Sequence, residues 1–393
     1  MSRVVAALLI CVIIMIEASP SAPVQSAKPI IIKKDVEVLD YNDLISGVDL
    51  SKSIERAFGV DGPGLLTVKN IPGLVEARNS LLPLARRFSL LDEPVKLRYE
   101  NKESFYSFGW SHGKEKLEGK PDISKGSYYA NPQYDEPESD PEIIKKYPAF
   151  CHPNIWPTDD LPELEGAFKS LGQLIAHVGE LVAKQCDVFI KSCCPAYEEN
   201  RLATIVSKSK CCKARLLHYF PRSSSAIVES EAGEEADLFS SWCGWHNDHG
   251  SLTGLVSAMF IDDEGNIVEN TDPQSGLYVR SRKSELIKVG IPQDHVAFQI
   301  GETAQIHSGG ILQATPHAVR GTSASGISRE TFAVFMEPMW FEPMNVPEGM
   351  DPEQAQSQSA AANLPKGVLP LGSRWKREMT FGDFTDATLN SYY

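Results

Sequence analysis

The sequence predicts a mainly β fold with flanking helices (α+β), built around a double-stranded β-helix or jelly roll. From Ala214 onward, short runs of alternating apolar and polar residues are separated by Gly, Asn, Asp or Ser, which is typical of two packed β-sheets. The longest helical pattern, over residues 160–192, comes before these runs and is expected to pack beneath the sheet. The predicted strands are Arg215–Phe220, Ser251–Asp262, Gly276–Arg280, Val296–Ile300, Ala304–His307, Thr315–Arg320 and Thr331–Glu337.

The N-terminus predicts a targeting segment over residues 1–22. A short basic start is followed by the apolar run Val4–Ile16 and then by small residues, the pattern of a signal peptide or signal anchor. The run is short for a membrane span, so we expect no stable membrane insertion after its removal. We therefore expect the secretory pathway, with a lumenal or secreted protein, or alternatively a plastid reached by a bipartite signal.

The rest of the chain divides into four regions by pattern and composition. They are an N-terminal mixed and helical region over 35–205, the jelly-roll core over 206–340, a flexible linker over 347–372 and a C-terminal segment over 373–393. Within the last region, residues 380–393 are expected to fold back as a terminal helix.

Composition narrows the function classes. The chain has 393 residues, 42% hydrophobic and 23% charged, with a formal net charge of −14. These values describe an ordinary globular protein without a basic cluster, which disfavours nucleic-acid binding, so we expect no nucleic acid as a partner. We also expect a monomer. Seven cysteines remain beyond Cys11. The sequence has no Cys-x-x-Cys motif, so a zinc site is not expected. The seven cysteines are either buried thiols or, in an oxidising lumen, partly paired.

Residues 245–255 contain the most informative motif, a histidine and an aspartate two positions apart. On an extended strand the side chains of His246 and Asp248 leave from the same face, and His317 lies far enough along to return on another strand. Two imidazoles and one carboxylate form the facial triad of non-haem Fe(II) oxygenases, which leaves the opposite face of the metal open. His249 competes as a ligand, but alternation directs it away from His246.

A second group of residues suits a carboxylate. Alternation places Arg329 and Thr331 on one face of a strand and Glu330 on the other. A guanidinium beside a hydroxyl pairs well with a planar carboxylate, and Tyr219 supplies a phenol that could reach the same anion. The alternative for Arg329 is a buried ion pair with a glutamate.

Together these motifs resemble the isopenicillin-N-synthase-like branch of the 2-oxoglutarate- and Fe(II)-dependent dioxygenases. In that family an Arg-x-Ser/Thr pair after the distal histidine grips the far carboxylate of 2-oxoglutarate, and a tyrosine in an upstream strand often assists. The resemblance covers roughly residues 35–340. The other similar segments are Val36–Tyr41, Ala57–Val68, Phe88–Lys96 and Ala297–Gly310.

The resemblance implies an enzyme. Its cofactors would be Fe(II), 2-oxoglutarate as co-substrate and O₂, with ascorbate as an optional reductant. The ligands and catalytic residues would be His246, Asp248 and His317, and the co-substrate would contact Arg329, Thr331 and Tyr219. We expect oxidation, in the first instance hydroxylation, of a small organic substrate with release of succinate and CO₂. The alternatives are an iron oxidase of the same fold that needs no 2-oxoglutarate, and a catalytically silent secreted iron-binding protein.

Overall fold

The described strands of this chain form two large β-sheets that share one apolar interior, and residues 116–117 pair with residues 120–121 in a separate two-stranded sheet. The computed structural model describes residues 31–33, 36–114, 116–117, 120–221, 242–270, 272–322, 324–356, 364–365 and 367–392. The targeting segment predicted over 1–22 lies outside these residues. The strands are β1 (Ile31–Lys33), β2 (Glu37–Asp40), β3 (Leu65–Lys69), β4 (Gly109–His112), β5 (Lys116–Leu117), β6 (Lys120–Pro121), β7 (Lys125–Ala130), β8 (Lys213–Tyr219), β9 (Cys243–His246), β10 (Leu252–Val256), β11 (Met259–Asp262), β12 (Ile267–Val268), β13 (Gly276–Arg280), β14 (Leu286–Val289), β15 (Val296–Ile300), β16 (His317–Arg320) and β17 (Ile327–Met336).

The larger sheet has the strand order β2-β3-β15-β10-β17-β8-β7-β4, and β11 joins it by pairing with β17 and β12. The smaller sheet has the order β1-β14-β13-β16-β9. Most pairs are antiparallel, except β2 with β3 and β1 with β14. Leu217 and Tyr219 of the larger sheet pack in one cluster with Leu277 and Val279 of the smaller one. This shared interior between two sheets confirms the predicted jelly-roll core.

Helices cover the outer face of the larger sheet. The long helix α7 packs there through Phe168, whose ring lies 4.9 Å from that of Phe332 in β17. The helix also approaches β10 so closely that a Cβ at Gly254 would overlap Ile175. The helices are α1 (Tyr41–Ser46), α2 (Ser51–Phe58), α3 (Leu74–Ser89), α4 (Glu93–Leu97), α5 (Pro141–Lys146), α6 (Pro148–Cys151), α7 (Glu163–Cys193), α8 (Arg201–Lys208), α9 (Glu302–His307), α10 (Pro352–Gln356) and α11 (Phe381–Tyr392), with a 3-10 turn at Leu371–Ser373.

The two regions predicted over 35–205 and 206–340 share their sheets. Strand β3 from the first region pairs with β15 from the second, and β7 pairs with β8 in the same way. The described part of the chain from residue 31 onward forms one compact unit. The N-terminal region therefore completes the larger sheet instead of folding separately.

Two strand predictions are wrong. Residues 304–307 alternate like a strand but belong to helix α9, because a run of four residues does not separate period two from a helical turn. The segment predicted as one strand over Ser251–Asp262 is split into β10 and β11. The break occurs where Arg78 of α3 donates to the carbonyl oxygens of Ser257 and Ala258, both at 2.8 Å.

The segment predicted as a flexible linker over 347–372 is partly packed. Residues 352–356 form α10, in which Ala355 is buried, and Leu371 is buried further along. Both side chains belong to a second apolar cluster with Phe381 and Phe384 of the terminal helix α11. Apolar contacts thus fix these parts of the segment against the domain, while residues 357–363 and 366 lie outside the described residues.

The cysteines and the helices bear on two further expectations. All seven described cysteines are free, so the disulfides that the sequence left open are not formed. None of the helices in the described ranges combines the length and the apolar character that a membrane span requires.

Candidate active site

The structure brings the three predicted metal ligands together at one edge of the smaller sheet. His246 at the end of β9 is directly opposite His317 in β16, and their ring centroids are 4.2 Å apart. Strand β9 ends at His246, so Asp248 lies in the following loop rather than on the strand. Its Oδ1 is 3.6 Å from Nε2 of His317. One ligand atom from each of the three residues lies within 4.8 Å of the others.

Backbone carbonyls orient both imidazoles. Nδ1 of His246 lies 2.8 Å from the carbonyl oxygen of Gly244, and Nδ1 of His317 lies 3.3 Å from that of Thr315. A ring that donates from Nδ1 to a carbonyl keeps Nε2 as the lone-pair nitrogen for a metal. The carbonyl contacts therefore favour the tautomer that a metal ligand needs.

The two imidazoles differ in charge. Burial, reinforced by the nearby His246, lowers the pKa of His317 to about 4, so this ring is neutral at pH 7. Burial acts in the same direction on His246, but it is outweighed by the negative charge and hydrogen bond of the Cys243 thiolate, whose Sγ lies 3.8 Å from Nδ1, and by the charge of Asp248. Together they raise the pKa of His246 to about 9. A metal ion that binds here must therefore displace a proton from His246.

The donor set suits a divalent cation such as Fe(II). Oδ2 of Asp248 is buried and has no hydrogen-bond partner among the residues that the structure describes. A buried carboxylate oxygen without a partner is costly unless a cation neutralises it. Two imidazole nitrogens and this carboxylate, gathered on one side, are the ligands of a facial Fe(II) site. His246, Asp248 and His317 therefore fit the group that the sequence implies.

Arg329 lies on the inner face of the larger sheet with unused hydrogen-bond donors. It is 5% exposed, and within the described ranges neither its Nε nor its Nη1 has a partner. Tyr219 is its direct neighbour across β8, and the guanidinium lies over the Tyr219 ring at 5.0 Å. Burial lowers the pKa of Arg329 from its usual 12.5, but the group keeps its charge at pH 7. A buried cation with free N–H groups is a site for an anion.

Trp242 lies beside Arg329 and Tyr219 and forms with them a pocket that we call the anion pocket; the sequence did not indicate this tryptophan. Its indole ring is buried 5.3 Å from the ring of Tyr219 and 6.0 Å from the guanidinium of Arg329. Its Nε1 also has no hydrogen-bond partner in the part of the chain that the structure describes. The indole can thus add a third N–H donor to the two of Arg329. A tryptophan just before a histidine motif is more often core, so its position alone gave no signal.

Thr331 has a different environment from the one that its pairing with Arg329 predicted. It lies on the same face of β17, directly opposite Leu217, and is buried. Its hydroxyl donates to the carbonyl oxygen of Val256 at 3.3 Å. Because that proton is directed at the backbone, Thr331 would have to rotate before it could donate to a ligand.

The alternative partner of Arg329, a glutamate, is engaged on the opposite face of the sheet. Oε1 of Glu330 lies 2.9 Å from Nδ1 of His218 and accepts from Oγ of Ser328 at 2.8 Å. These contacts use the Glu330 carboxylate on the helix-covered side of β17. The ion pair with Arg329 is therefore not formed by this glutamate, and His218 has a structural role.

The sequence analysis missed two further charged side chains, Glu337, which lies near the metal-binding loop, and Lys213, which lies near Glu337. Lys213 in β8 is directly opposite Phe335 in β17, and its Nζ donates to the carbonyl oxygen of Ala149 at 2.5 Å. Burial raises the pKa of Glu337 to about 7, with Lys213 opposing and Asp248 adding to the shift. Oε2 of Glu337 has no partner among the described residues. The carboxyl group of Glu337 therefore stands next to the site with capacity for a polar ligand, and the half-buried Lys213 lies near it.

His249, the competing ligand, points away from the triad, although it lies in the loop after β9 and not on the strand from which its orientation was predicted. Its ring packs 4.4 Å from that of Phe384 in α11, and its Nε2 lies 2.9 Å from Oγ1 of Thr385. Burial, together with the charge of Arg374, lowers the pKa of His249 to about 3, so the ring is neutral. These contacts hold His249 on the side of the loop opposite to the three ligands.

Comparison with known proteins yields structural but not sequence matches. No protein-family model matches this chain, and no curated protein matches it. A protein from Caulobacter crescentus, assigned to the 2OG-Fe(II) oxygenase family, superposes with a TM-score of 0.61 at 16% identity, over 91% of this chain and 99% of the other. A full-length protein from Neurospora crassa, in complex with alpha-KG, gives 0.62 at 19% identity over 91% and 98%. JOX2, in complex with 2OG, Fe and JA, gives 0.54 at 16% identity over 91% and 85%.

The chain has the fold of the 2OG-Fe(II) oxygenases. The coverage shows that the likeness includes the N-terminal region and the jelly-roll core together. At these identities the likeness establishes the fold, so the chemistry of this oxygenase fold must be argued from the site itself.

Proposed function

We propose that this chain is an Fe(II)- and 2-oxoglutarate-dependent dioxygenase that hydroxylates a small organic substrate, with succinate and CO₂ as the other products. One observation carries the proposal: among the described residues, a buried carboxylate oxygen and two buried guanidinium nitrogens have no hydrogen-bond partner. They are the Asp248 oxygen beside two imidazoles and the donor nitrogens of Arg329. The first requires a cation and the second an anion, which together are the requirements of Fe(II) and a dicarboxylate.

Each side chain has a physical task in this reaction. Bound Fe(II), 2-oxoglutarate and O₂ would supply the oxidising equivalents that break a C–H bond. His246, Asp248 and His317 would hold the metal from one side and leave the other side open. Arg329 would pair with the far carboxylate of the co-substrate, and the apolar side chains between the two sheets would exclude water from the reacting atoms.

A small organic molecule is the substrate class that we propose. The Neurospora crassa protein has been crystallised with thymine, and the JOX2 complex contains JA. In this chain, Glu337 and the neighbouring Lys213 would provide an acidic and a basic contact for a polar substrate group. Glu337 is close enough to the metal loop that a Cβ at Gly250 would lie 3.0 Å from its Cγ.

The test is succinate formation from 2-oxoglutarate with Fe(II), ascorbate and O₂. Wild-type protein should form succinate slowly without substrate and faster when a screened compound is the substrate, whereas His246→Ala should form none. His177→Ala is the matched control, because His177 is an exposed histidine on α7 and should leave the rate unchanged.

The alternatives give different results in the same assay. An oxidase that needs no 2-oxoglutarate would consume O₂ with a substrate and release no succinate. A silent iron-binding protein would bind metal but consume neither O₂ nor 2-oxoglutarate. If wild-type protein also fails to bind 2-oxoglutarate anaerobically, the proposal is wrong.

For the compartment and oligomeric state we propose a monomer that enters the secretory pathway. The support is the apolar run Val4–Ile16 in residues 1–22 and an acidic surface with a net charge of −14. N-terminal sequencing of protein expressed in a eukaryotic host would detect cleavage, and light scattering would give the mass. An uncleaved N-terminus on a cytosolic protein would contradict this proposal.

A further inference from the structure

The loop that carries Asp248 rests on helix α9. The backbone N–H of Glu302 donates to the carbonyl oxygen of Asp248 at 2.8 Å, and the hydroxyl of Thr303 donates to that of His249 at 2.7 Å. The backbone of the aspartate ligand and of its neighbour is thus fixed by the first turn of α9. Any group that holds α9 also holds this loop.

Arg374, in the C-terminal segment, grips the same helix. Its two terminal nitrogens donate to the two carboxylate oxygens of Glu302 at 2.8 and 2.6 Å. Both side chains are almost fully buried, at 3% and 1% exposure. A bidentate arginine–carboxylate pair fixes both orientation and distance. The carboxylate of Glu302 therefore has one position, set from the C-terminal segment.

The ion pair of Arg374 and Glu302 also contacts Asn247, the residue between two of the proposed metal ligands. Nδ2 of Asn247 donates to Oε1 of Glu302 at 3.1 Å. Asn247 follows His246 and precedes Asp248. A chain of hydrogen bonds therefore links Arg374 through Glu302 to the centre of the metal-binding loop.

A second contact reaches the loop from α11. The hydroxyl of Thr385 donates to the carbonyl oxygen of Phe381 at 2.8 Å, so its oxygen accepts from Nε2–H of His249 at 2.9 Å. The His249 ring also packs 4.4 Å from that of Phe384. The residues before and after Asp248 are thus both held by the C-terminal segment.

We propose that the C-terminal segment, residues 371–391, is a positioning element of the metal site. Arg374 acts through Glu302 and Asn247, and Thr385 acts through His249, so that Asp248 stays where its oxygens meet the two imidazoles. Partners of this kind, one step behind the ligands, typically account for 10–100-fold in metal affinity. The inference rests on the metal site of the proposed function but not on 2-oxoglutarate or catalysis.

The test measures Co(II) binding to metal-free protein by calorimetry and by the visible spectrum of the bound ion. Thr385→Val keeps the size of the side chain and should weaken Co(II) binding about tenfold. Arg374→Met should weaken it 10–100-fold. Arg377→Met is the matched control, since this exposed arginine lies in the same segment and should leave affinity and spectrum unchanged.

A double variant separates positioning from stability. Arg374→Met alone leaves the buried Glu302 carboxylate without its cation, so it can lower the melting temperature. Arg374→Met together with Glu302→Met removes both charges and should restore the melting temperature. Affinity that stays weak in the double variant, with an altered Co(II) spectrum, supports positioning.

Wild-type affinity in both the double variant and Thr385→Val would overturn the inference while leaving the proposed function intact. Absence of Co(II) binding to wild-type protein would instead reject the metal site, and with it both proposals.

Discussion

Replacing Arg329 with methionine gives the sharpest test of the co-substrate site. Two of its nitrogens have no protein partner among the described residues, so their hydrogen bonds are available to a carboxylate. Charge-assisted hydrogen bonds contribute about 1.5–3 kcal/mol each, and about 1.4 kcal/mol corresponds to a tenfold change in affinity. Loss of two such hydrogen bonds should therefore raise the KM for 2-oxoglutarate by at least about 100-fold.

The same substitution should leave the fold as stable as before or more stable. A buried guanidinium that no carboxylate neutralises is costly in the free protein, and methionine fills a similar volume without the charge. The KM of Arg329→Lys for 2-oxoglutarate should lie between those of wild-type protein and Arg329→Met. An ammonium keeps the charge but lacks the several fixed N–H groups of the guanidinium.

The assay combines succinate formation at varied 2-oxoglutarate with the melting temperature of the ligand-free protein. Co(II) affinity serves as the control, because Arg329 lies in β17 and the ligands do not. A large drop in melting temperature with an unchanged KM would refute the reasoning, since it would make Arg329 a structural residue.

Three further predictions concern charge and pH. Metal binding displaces a proton from His246, so Co(II) affinity should rise about tenfold per pH unit below the His246 pKa of about 9. The range begins at pH 7, because the pKa of Cys243, whose charge raises that of His246, is about 7. Calorimetry at three pH values between 7 and 9 that shows no trend would contradict this. Glu337→Gln should raise the KM for the organic substrate while substrate-free succinate formation stays unchanged; an equal loss of both rates would place Glu337 in the co-substrate site instead. Burial lowers the pKa of His307 from 6.5 to about 3, so the native state binds fewer protons than the unfolded state between these pH values. This residue alone should therefore lower the free energy of unfolding by about 1.4 kcal/mol per pH unit as the pH falls from 6.5 towards 3. Urea titrations should show a smaller loss of stability over this range for His307→Gln.

Two of the three proposed metal ligands could be recognised together because they are close in the sequence, whereas His317 is distant in sequence from both. The spacing of His246 and Asp248 needs only a short extended segment, and their residue types are the ones that Fe(II) binds. The strands Gly276–Arg280 and Val296–Ile300 were predicted with the bounds that the structure has, because turn residues mark both ends.

What the sequence could not predict depends on contacts between distant residues. Glu302 and Arg374 are 72 residues apart, and neither position differs from an ordinary surface charge when read alone. The helix α9 was mistaken for a strand for the same reason, since its four alternating residues fit both periods and burial on all sides decided between them. Trp242 likewise became part of the anion pocket only through the register that sets Tyr219 opposite Arg329.

The cost of the site supports its assignment as a ligand site. A buried polar group without a partner costs about 1–3 kcal/mol, and apolar residues of similar size would remove that cost. In the described part of the chain, such atoms occur on Asp248 of the triad and on Arg329 and Trp242 of the anion pocket. An arrangement that is unfavourable in the free protein becomes favourable when a cation and a carboxylate bind. The unpartnered atoms of Asp248, Arg329 and Trp242 are therefore better explained by ligand binding than by folding.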